Sequence, residues 1–248
     1  MSADEITLDR LLGGRVEFAQ PAEGYRAAID PVLLAAALGD SAGEHVLDLG
    51  AGAGAASLCL AARVPDCRVT GLERDAVLVR LATENAARNG FADRLDFVAG
   101  DVRAPPASVA PASFDRVMAN PPYLEAARAS PSPKPGRATS QVESDAALED
   151  WIAAALAFAR PKGAVIFIHR ADRLGDLLAA FGGKAGEVAI FPLWPMADGR
   201  PAKRVIVRAR KGSAAPTRLM PGLVLHEKDG RFTDAAEAIL RGAAALEF

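Results

Sequence analysis

Val46-Leu47-Asp48-Leu49-Gly50-Ala51-Gly52-Ala53-Gly54 decides the fold. A short strand pattern runs into a turn with glycine at alternate positions, and an apolar helical run, Ala55 to Ala62, follows at once. Such a turn lets the backbone pass close to a ligand before a helix opens with its amides free. Outward from it, short apolar runs alternate with helical patterns, the signature of βαβ units and a mostly parallel sheet. Strands are predicted over Val46 to Leu49, Arg68 to Leu72, Leu95 to Ala99, Phe114 to Ala119 and Ala164 to Ile168. Helices are predicted over Ala55 to Ala62, Asp75 to Asn89, Leu148 to Ala159 and Asp172 to Phe181, with Gly90 closing the second. Glu187 to Leu193 and Lys203 to Arg210 read as two further strands whose link, Trp194 to Ala202, is too short for a crossover, so they pair antiparallel. The sum is an α/β, Rossmann-like chain: a mostly parallel seven-stranded sheet with an antiparallel C-terminal strand pair and helices on both faces.

Flanking this core, Asp30-Pro31 reads as a cap and first-turn proline for an apolar helix, Val32 to Leu38. Leu223 to His226 and Arg231-Phe232 around Asp229-Gly230 suggest a hairpin, with Thr233 capping a last helix to about Ala245. With 248 residues, one domain is expected, divided into a cap and helix (1–42), a core (43–212) and a C-terminal hairpin and helix (213–248).

The first four parallel strands each end in a polar residue, Asp48, Glu73, Asp101 and Asn120. In an open α/β sheet ligands bind outside the carboxyl ends of the strands, so the four are expected to converge on one crevice. The glycine turn is similar to a dinucleotide fingerprint, but a carboxylate just before its first glycine repels a pyrophosphate at short range. S-adenosyl-L-methionine carries an ammonium and a sulfonium that Asp48 favours, and its carboxylate can use the helix N-terminus. Glu73 stands nineteen residues beyond Gly54, where an acid accepts both ribose hydroxyls of an adenosyl ligand. Asp101, followed by Val102, is placed to accept from the adenine amine. The cofactor set is therefore Asp48, Gly50, Gly52, Gly54, Glu73, Arg74, Asp101, Val102 and Asn120.

Asn120-Pro121-Pro122-Tyr123 follows an apolar strand. Two prolines fix the backbone and leave its carbonyls as acceptors. The Asn120 oxygen and a neighbouring carbonyl can take both hydrogens of a planar NH2, and the Tyr123 ring supplies a stacking face. Two such acceptors concentrate electron density on a poorly nucleophilic nitrogen, so no strong general base is required. Of His45, His169 and His226, only His169 falls at a strand end, where a structural reading is favoured.

Asp-Leu-Gly-Ala-Gly-Ala-Gly, the next strand's acid and Asn-Pro-Pro-Tyr together resemble the class I methyltransferases that bear an Asn-Pro-Pro-Tyr motif, over about Gly43 to Ile168. Gln20-Pro21, Gly24-Tyr25-Arg26, Asp30-Pro31-Val32-Leu33-Leu34, Leu223 to Glu227 and Gly230 to Thr233 extend the resemblance to the bacterial tRNA adenine-N6 methyltransferases acting on adenosine 37 of a valine tRNA. That resemblance implies a monomeric enzyme on folded tRNA, with catalytic Asn120, Pro121, Pro122 and Tyr123, and Tyr25 and Arg26 near the cofactor and substrate entrance. The same motif serves protein-glutamine N5 and guanine-N2 methylation, and a non-catalytic RNA-binding protein of this fold is a reading from another class.

Net charge is -2, which by itself argues against a nucleic-acid partner. Its distribution is uneven. Asp198 to Glu227 encloses seven cations and no acid, and a second acid-free stretch, Ala126 to Val142, holds Arg128, Lys134 and Arg137 directly after the Asn120 motif. Both stretches read either as solvated faces or as grips on RNA phosphate. Cys59 and Cys67 match no metal or redox spacing, so no metal is expected. Met1 to Arg10 lacks a signal-peptide pattern and no apolar run reaches membrane length, so a cytoplasmic protein without a membrane partner is expected.

Overall fold

The computed structural model describes residues 6–23, 27–122 and 146–248. Its centre is a sheet of five parallel strands: β3 (His45–Leu49), β4 (Arg68–Glu73), β5 (Leu95–Ala99), β6 (Phe114–Ala119) and β7 (Ala159–Arg170). β8 (Ala185–Met196) and β9 (Arg204–Lys211) complete the seven-stranded order β8-β9-β7-β6-β3-β4-β5, with β9 antiparallel to both its neighbours. Two short strands, β10 (Arg218–Leu219) and β11 (Leu223–His226), add to it by running parallel to β8. The chain moves outward from β3 through β4 to β5 and then returns to β6 on the other side of β3. That reversal opens a crevice between the carboxyl ends of β3 and β6.

Alternation along the strands divides the core in two. Leu47, Leu49, Val165, Phe167, Val205 and Val207 face α4 (Leu148–Phe158) and α5 (Leu174–Phe181). Val46, Met118, Ile166, Ile168 and Ile206 face α1 (Ile29–Ala36), α2 (Ala55–Arg63), α3 (Ala76–Arg88) and α6 (Asp234–Leu240). Strands buried on both faces read as near-continuous apolar runs, which is why they were visible in the sequence.

The N-terminal segment differs from the expected cap. β1 (Ile6–Leu11) and β2 (Val16–Pro21) form an antiparallel hairpin, with Leu12, Gly13 and Gly14 of its turn all at positive φ. Its signal was the alternation Val16, Phe18, Gln20, all buried, next to a Gly-Gly pair. Asp30 does not cap α1: Ala28 holds that position, and the Asp30 carboxylate instead accepts from Arg204 Nε of β9 at 3.1 Å. Pro31 lies in the first turn as expected. Leu223–His226 pairs with β8, and the expected hairpin is reduced to one bridge, His226 with Phe232. Thr233 caps α6, its Oγ1 accepting from Ala236 N at 3.1 Å, but the helix stops at Leu240, where the Gly242 and Ala244 amides turn back onto Glu237 and Ala238. Beyond it the Leu246 amide donates to Ala36 O at 3.0 Å, and the Phe248 ring lies 5.2 Å from that of Phe191.

Gly71 in β4 has ordinary dihedrals, yet a Cβ there would stand 2.4 Å from Phe97 Cδ1 and 2.9 Å from Ala51 Cβ. Its glycine is a packing requirement that lets Phe97 sit beneath the Gly50–Gly54 turn. Gly71→Ala should therefore destabilise the protein by about 1–3 kcal/mol through overpacking. Denaturant unfolding reads this directly, and a midpoint equal to that of the parent would contradict the packing.

Candidate active site

Gly50, Gly52 and Gly54 all take positive φ, at 70°, 57° and 89°. The three meet different surroundings. A Cβ on Gly50 would lie 2.5 Å from Trp151 Cη2 of α4, and one on Gly54 would lie 3.0 Å from Phe97 Cζ. No atom of the described residues lies within 4 Å of the corresponding point on Gly52, so among them the middle of the turn is left uncovered while its two ends are packed.

The turn is tied to the next strand. Gly50 N donates to Leu72 O at 2.8 Å and Gly52 N to Glu73 Oε2 at 3.0 Å. The other Glu73 oxygen accepts from Asp75 N at 2.9 Å, at the start of α3. Each carboxylate oxygen has lone-pair capacity for a second donor, so these bonds leave Glu73 able to take hydroxyls as well.

Asp48 is 3% exposed and accepts from Ser57 Oγ of α2 at 2.7 Å. Burial pushes its carboxyl up to about 6; the Ser57 bond works against this and the nearby Glu73 charge adds to it. A buried acid at the start of a glycine turn is stabilised in its charged form by a cation placed close by. Asn120 and Pro122 are half-buried and Pro121 is buried, at the end of β6 directly beside β3. An open-faced turn, an acid that favours a cation and a polar strand end therefore share the crevice at the sheet reversal. Together they fit a ligand with an adenosyl group and a positive charge.

Comparison with known proteins agrees. Residues 28–132 match the methyltransferase small domain family. Over these residues the chain is similar to S-adenosylmethionine-dependent methyltransferases. It is 35% and 34% identical to proteins from two Porphyromonas gingivalis strains named tRNA1(Val) (adenine(37)-N6)-methyltransferase. The chain spans 61% and 66% of their length, and the matches take in the same shares of this chain. A release factor glutamine methyltransferase of Chlorobaculum tepidum is 34% identical over 93 residues, 37% of this chain and 32% of that protein. Among solved structures, one titled a predicted O-methyltransferase from Agrobacterium tumefaciens superposes with TM-score 0.73 and 28% identity, over 88% of this chain and 98% of that one. A geranyl diphosphate C-methyltransferase of Streptomyces coelicolor, solved with S-adenosyl-L-homocysteine, shares the fold at TM-score 0.54 and 13% identity, over 73% of this chain and 74% of that one.

Around this crevice the expected residues fare unevenly. Asp48, Glu73 and Asn120 stand at neighbouring strand ends. Asp101 follows β5, but its carboxylate is turned to its own loop, accepting from Arg103 N at 2.8 Å and Nε at 3.2 Å, and Arg103 holds it below the usual carboxylate range. Val102 is partly buried against the core layer that faces α4 and α5, and Arg74 is exposed. Tyr25, Arg26, Tyr123, Arg128, Lys134 and Arg137 lie outside the described residues. His169 is buried at the end of β7; burial, with Arg173, Arg170 and Arg204 nearby, pushes it down to about 4, so its ring is neutral. Ser57, Phe97 and Trp151 support the site and were not anticipated. Ser57 is the one polar residue in an otherwise apolar helical run, the signal that was there to find.

The acid-free run after Asp198 is not acid-free in space. Arg200 pairs with Asp198 at 2.9 Å, Arg204 with Asp30 at 3.1 Å and Arg210 with Glu187 at 2.8 Å, while Lys211 Nζ donates to Ala159 O. These pairs favour the solvated-face reading for that stretch. Both cysteines are buried thiols, burial pushing Cys59 up to about 12. Among the described residues no cluster of His, Cys, Asp or Glu is arranged to hold a metal, and no helix is long and apolar enough to cross a membrane.

Asp48 is the residue whose titration should be read. Its folded value lies above the ordinary 3.8, so ionising it weakens the ligand-free fold progressively as pH rises from there to about 6, and the penalty is constant beyond. Asp48→Asn should therefore raise the melting temperature of the ligand-free protein at pH 8 more than at pH 4. Affinity for a cationic cofactor runs the opposite way, weakening as pH falls through about 6 in the parent but not in the variant. A parent protein whose cofactor affinity is flat across that range would rule this out.

Proposed function

We propose that the protein methylates N6 of an adenine in tRNA, with adenosine 37 of a valine tRNA as the specific target. One observation carries the reading: Asn120-Pro121-Pro122 ends the strand beside the cofactor turn, at the carboxyl edge where the sheet reverses. Likeness to proteins named for that activity supports it.

S-adenosylmethionine supplies an electrophilic methyl on a sulfonium. The residues of the chain have to orient its acceptor. Asn120 Oδ1 and the Pro121 carbonyl accept the two N–H hydrogens of the adenine amine, leaving the lone pair pointed away from the ring plane. Positive charge that builds on nitrogen is then met by two fixed oxygens, and one proton passes afterwards to solvent. Tyr123 stacks on the base. Proline rigidity matters because an acceptor pair acts without reorganising only if its backbone is already set. His169, neutral and buried, serves packing rather than proton transfer.

Glu73 holds the ribose hydroxyls, and the first turn of α2 meets the cofactor carboxylate. Arg170, Arg173 and Arg204 cluster round His169 at the same edge of the sheet as Asn120, but their ion pairs with Asp172, Asp176 and Asp30 make them part of the solvated face. Arg128, Lys134, Arg137, Tyr25 and Arg26 make the RNA contact in this reading, which is of a monomeric cytoplasmic enzyme. Glutamine N5 methylation is the second reading, since a primary amide presents the same NH2 and one relative is named for it.

Incubation with labelled cofactor and with total RNA and protein extract from cells lacking the gene, followed by nucleoside and amino-acid mass spectrometry, should show N6-methyladenosine in tRNA. Label entering protein glutamine and not RNA would transfer the assignment to the second reading. Asn120→Ala should lower turnover by about a hundredfold or more, by analogy with loss of one fixed polar partner of a transition state. Its cofactor affinity should fall far less, and an Asn120→Ala protein with full turnover would end the proposal.

A further inference from the structure

The Gly50–Gly54 turn is also held from its far side, by a side chain thirty-one residues beyond Gly54. Asn85, in the last turn of α3, has no exposed surface. Its Oδ1 accepts from Ala19 N at 3.0 Å and from Arg88 at 2.8 Å, and its Nδ2 donates to Ala19 O at 2.8 Å and to Ala53 O at 3.0 Å. One carboxamide thus joins the inner edge of β2 to the cofactor turn. A buried amide is tolerated only when its donors and acceptors are satisfied, and here all four bonds are made.

One helical turn further on, Asn89 does half of this. It accepts from Glu17 N at 2.9 Å and donates to Glu17 O at 2.7 Å and to Asn85 O at 2.8 Å. Spaced four apart, both carboxamides lie on one helix face and present β2 with a substitute strand edge. Only Asn85 reaches the turn as well. Ala53 O is fixed by Asn85 on one side while Gly52 N is fixed by Glu73 on the other.

We propose that Asn85 is a positioning residue for cofactor binding, which makes the N-terminal hairpin and the cofactor turn a single mechanical unit. The inference rests on the reading that this turn holds the cofactor. Asn89 provides an internal control, since losing it loosens the hairpin and leaves the turn's own bonds intact.

The test is calorimetric titration of the full chain with S-adenosylhomocysteine, comparing Asn85→Asp, Asn89→Ala and Glu73→Ala with the parent. Asn85→Asp keeps the shape and both accepted bonds but replaces the two donated ones with repulsion. Its Kd should rise about tenfold or more, the scale of a buried polar group left unpaired. Asn89→Ala should stay within about twofold even where the two melting temperatures match, a split that general destabilisation does not produce. Trp151 emission, read in a Trp194→Phe background because the Trp151 ring rests on Gly50, should change in Asn85→Asp and not in Asn89→Ala.

Equal Kd values for the two asparagine variants, with Glu73→Ala weakened, would overturn the inference and leave the site reading standing. An unchanged Glu73→Ala would bring down the site reading itself. If Asn85→Asp does not fold, hydrogen exchange in the parent decides. Saturation with S-adenosylhomocysteine should slow exchange of the Ala19 amide and not that of Glu17, and equal protection of both would contradict the coupling.

Discussion

The bond from the Gly52 amide to the Glu73 carboxylate is the constraint on which the carboxyl edge of this sheet depends. A run of left-handed glycines has no intrinsic shape, and each residue is free to leave its conformation at little cost. Here the run is stitched to β4 by Leu72 and Glu73, packed at its ends by Trp151 and Phe97, and left open at Gly52. A cofactor cradle needs that combination: rigid shoulders around a backbone that a ligand can approach. Because Glu73 also fixes the start of α3, the turn and the neighbouring helix share one anchor.

A tension runs through the same place. Asp48 is buried against its electrostatic preference, supported by Ser57 and repelled by Glu73. A protein selected only for stability would place a neutral group there, and a site for a ligand that carries an ammonium and a sulfonium has reason not to. Strain of this kind at a functional site is the expected exception to consistency between local preference and fold.

Much of the architecture was legible in the sequence because the physics that builds it is local or periodic. Strands buried on both faces read as apolar runs, and the glycine turn between a strand and a helix announces its own chirality. Polar residues at strand ends could be placed in one crevice because open α/β sheets bind ligands there. What was missed depends on contacts between residues far apart in sequence. The hairpin's edge is satisfied by Asn85 and Asn89, whose amides look like ordinary helix surface until β2 is laid against them. Cations that stand without acids along the chain meet Asp30 and Glu187 across the sheet. Asp101 follows β5 as expected, and Arg103, two residues on, donates to its carboxylate, a local contact that strand-end position alone does not show.

The chemistry depends on where the cofactor's sugar and reactive carbon lie relative to Glu73 and Asn120. A crystal structure of the protein with S-adenosylhomocysteine measures this directly. It should show both ribose hydroxyls donating to Glu73 and the sulfur facing the Asn120 carboxamide across the gap between β3 and β6. A ribose bound away from Glu73, or a sulfur on the opposite side of β3 from Asn120, would contradict it.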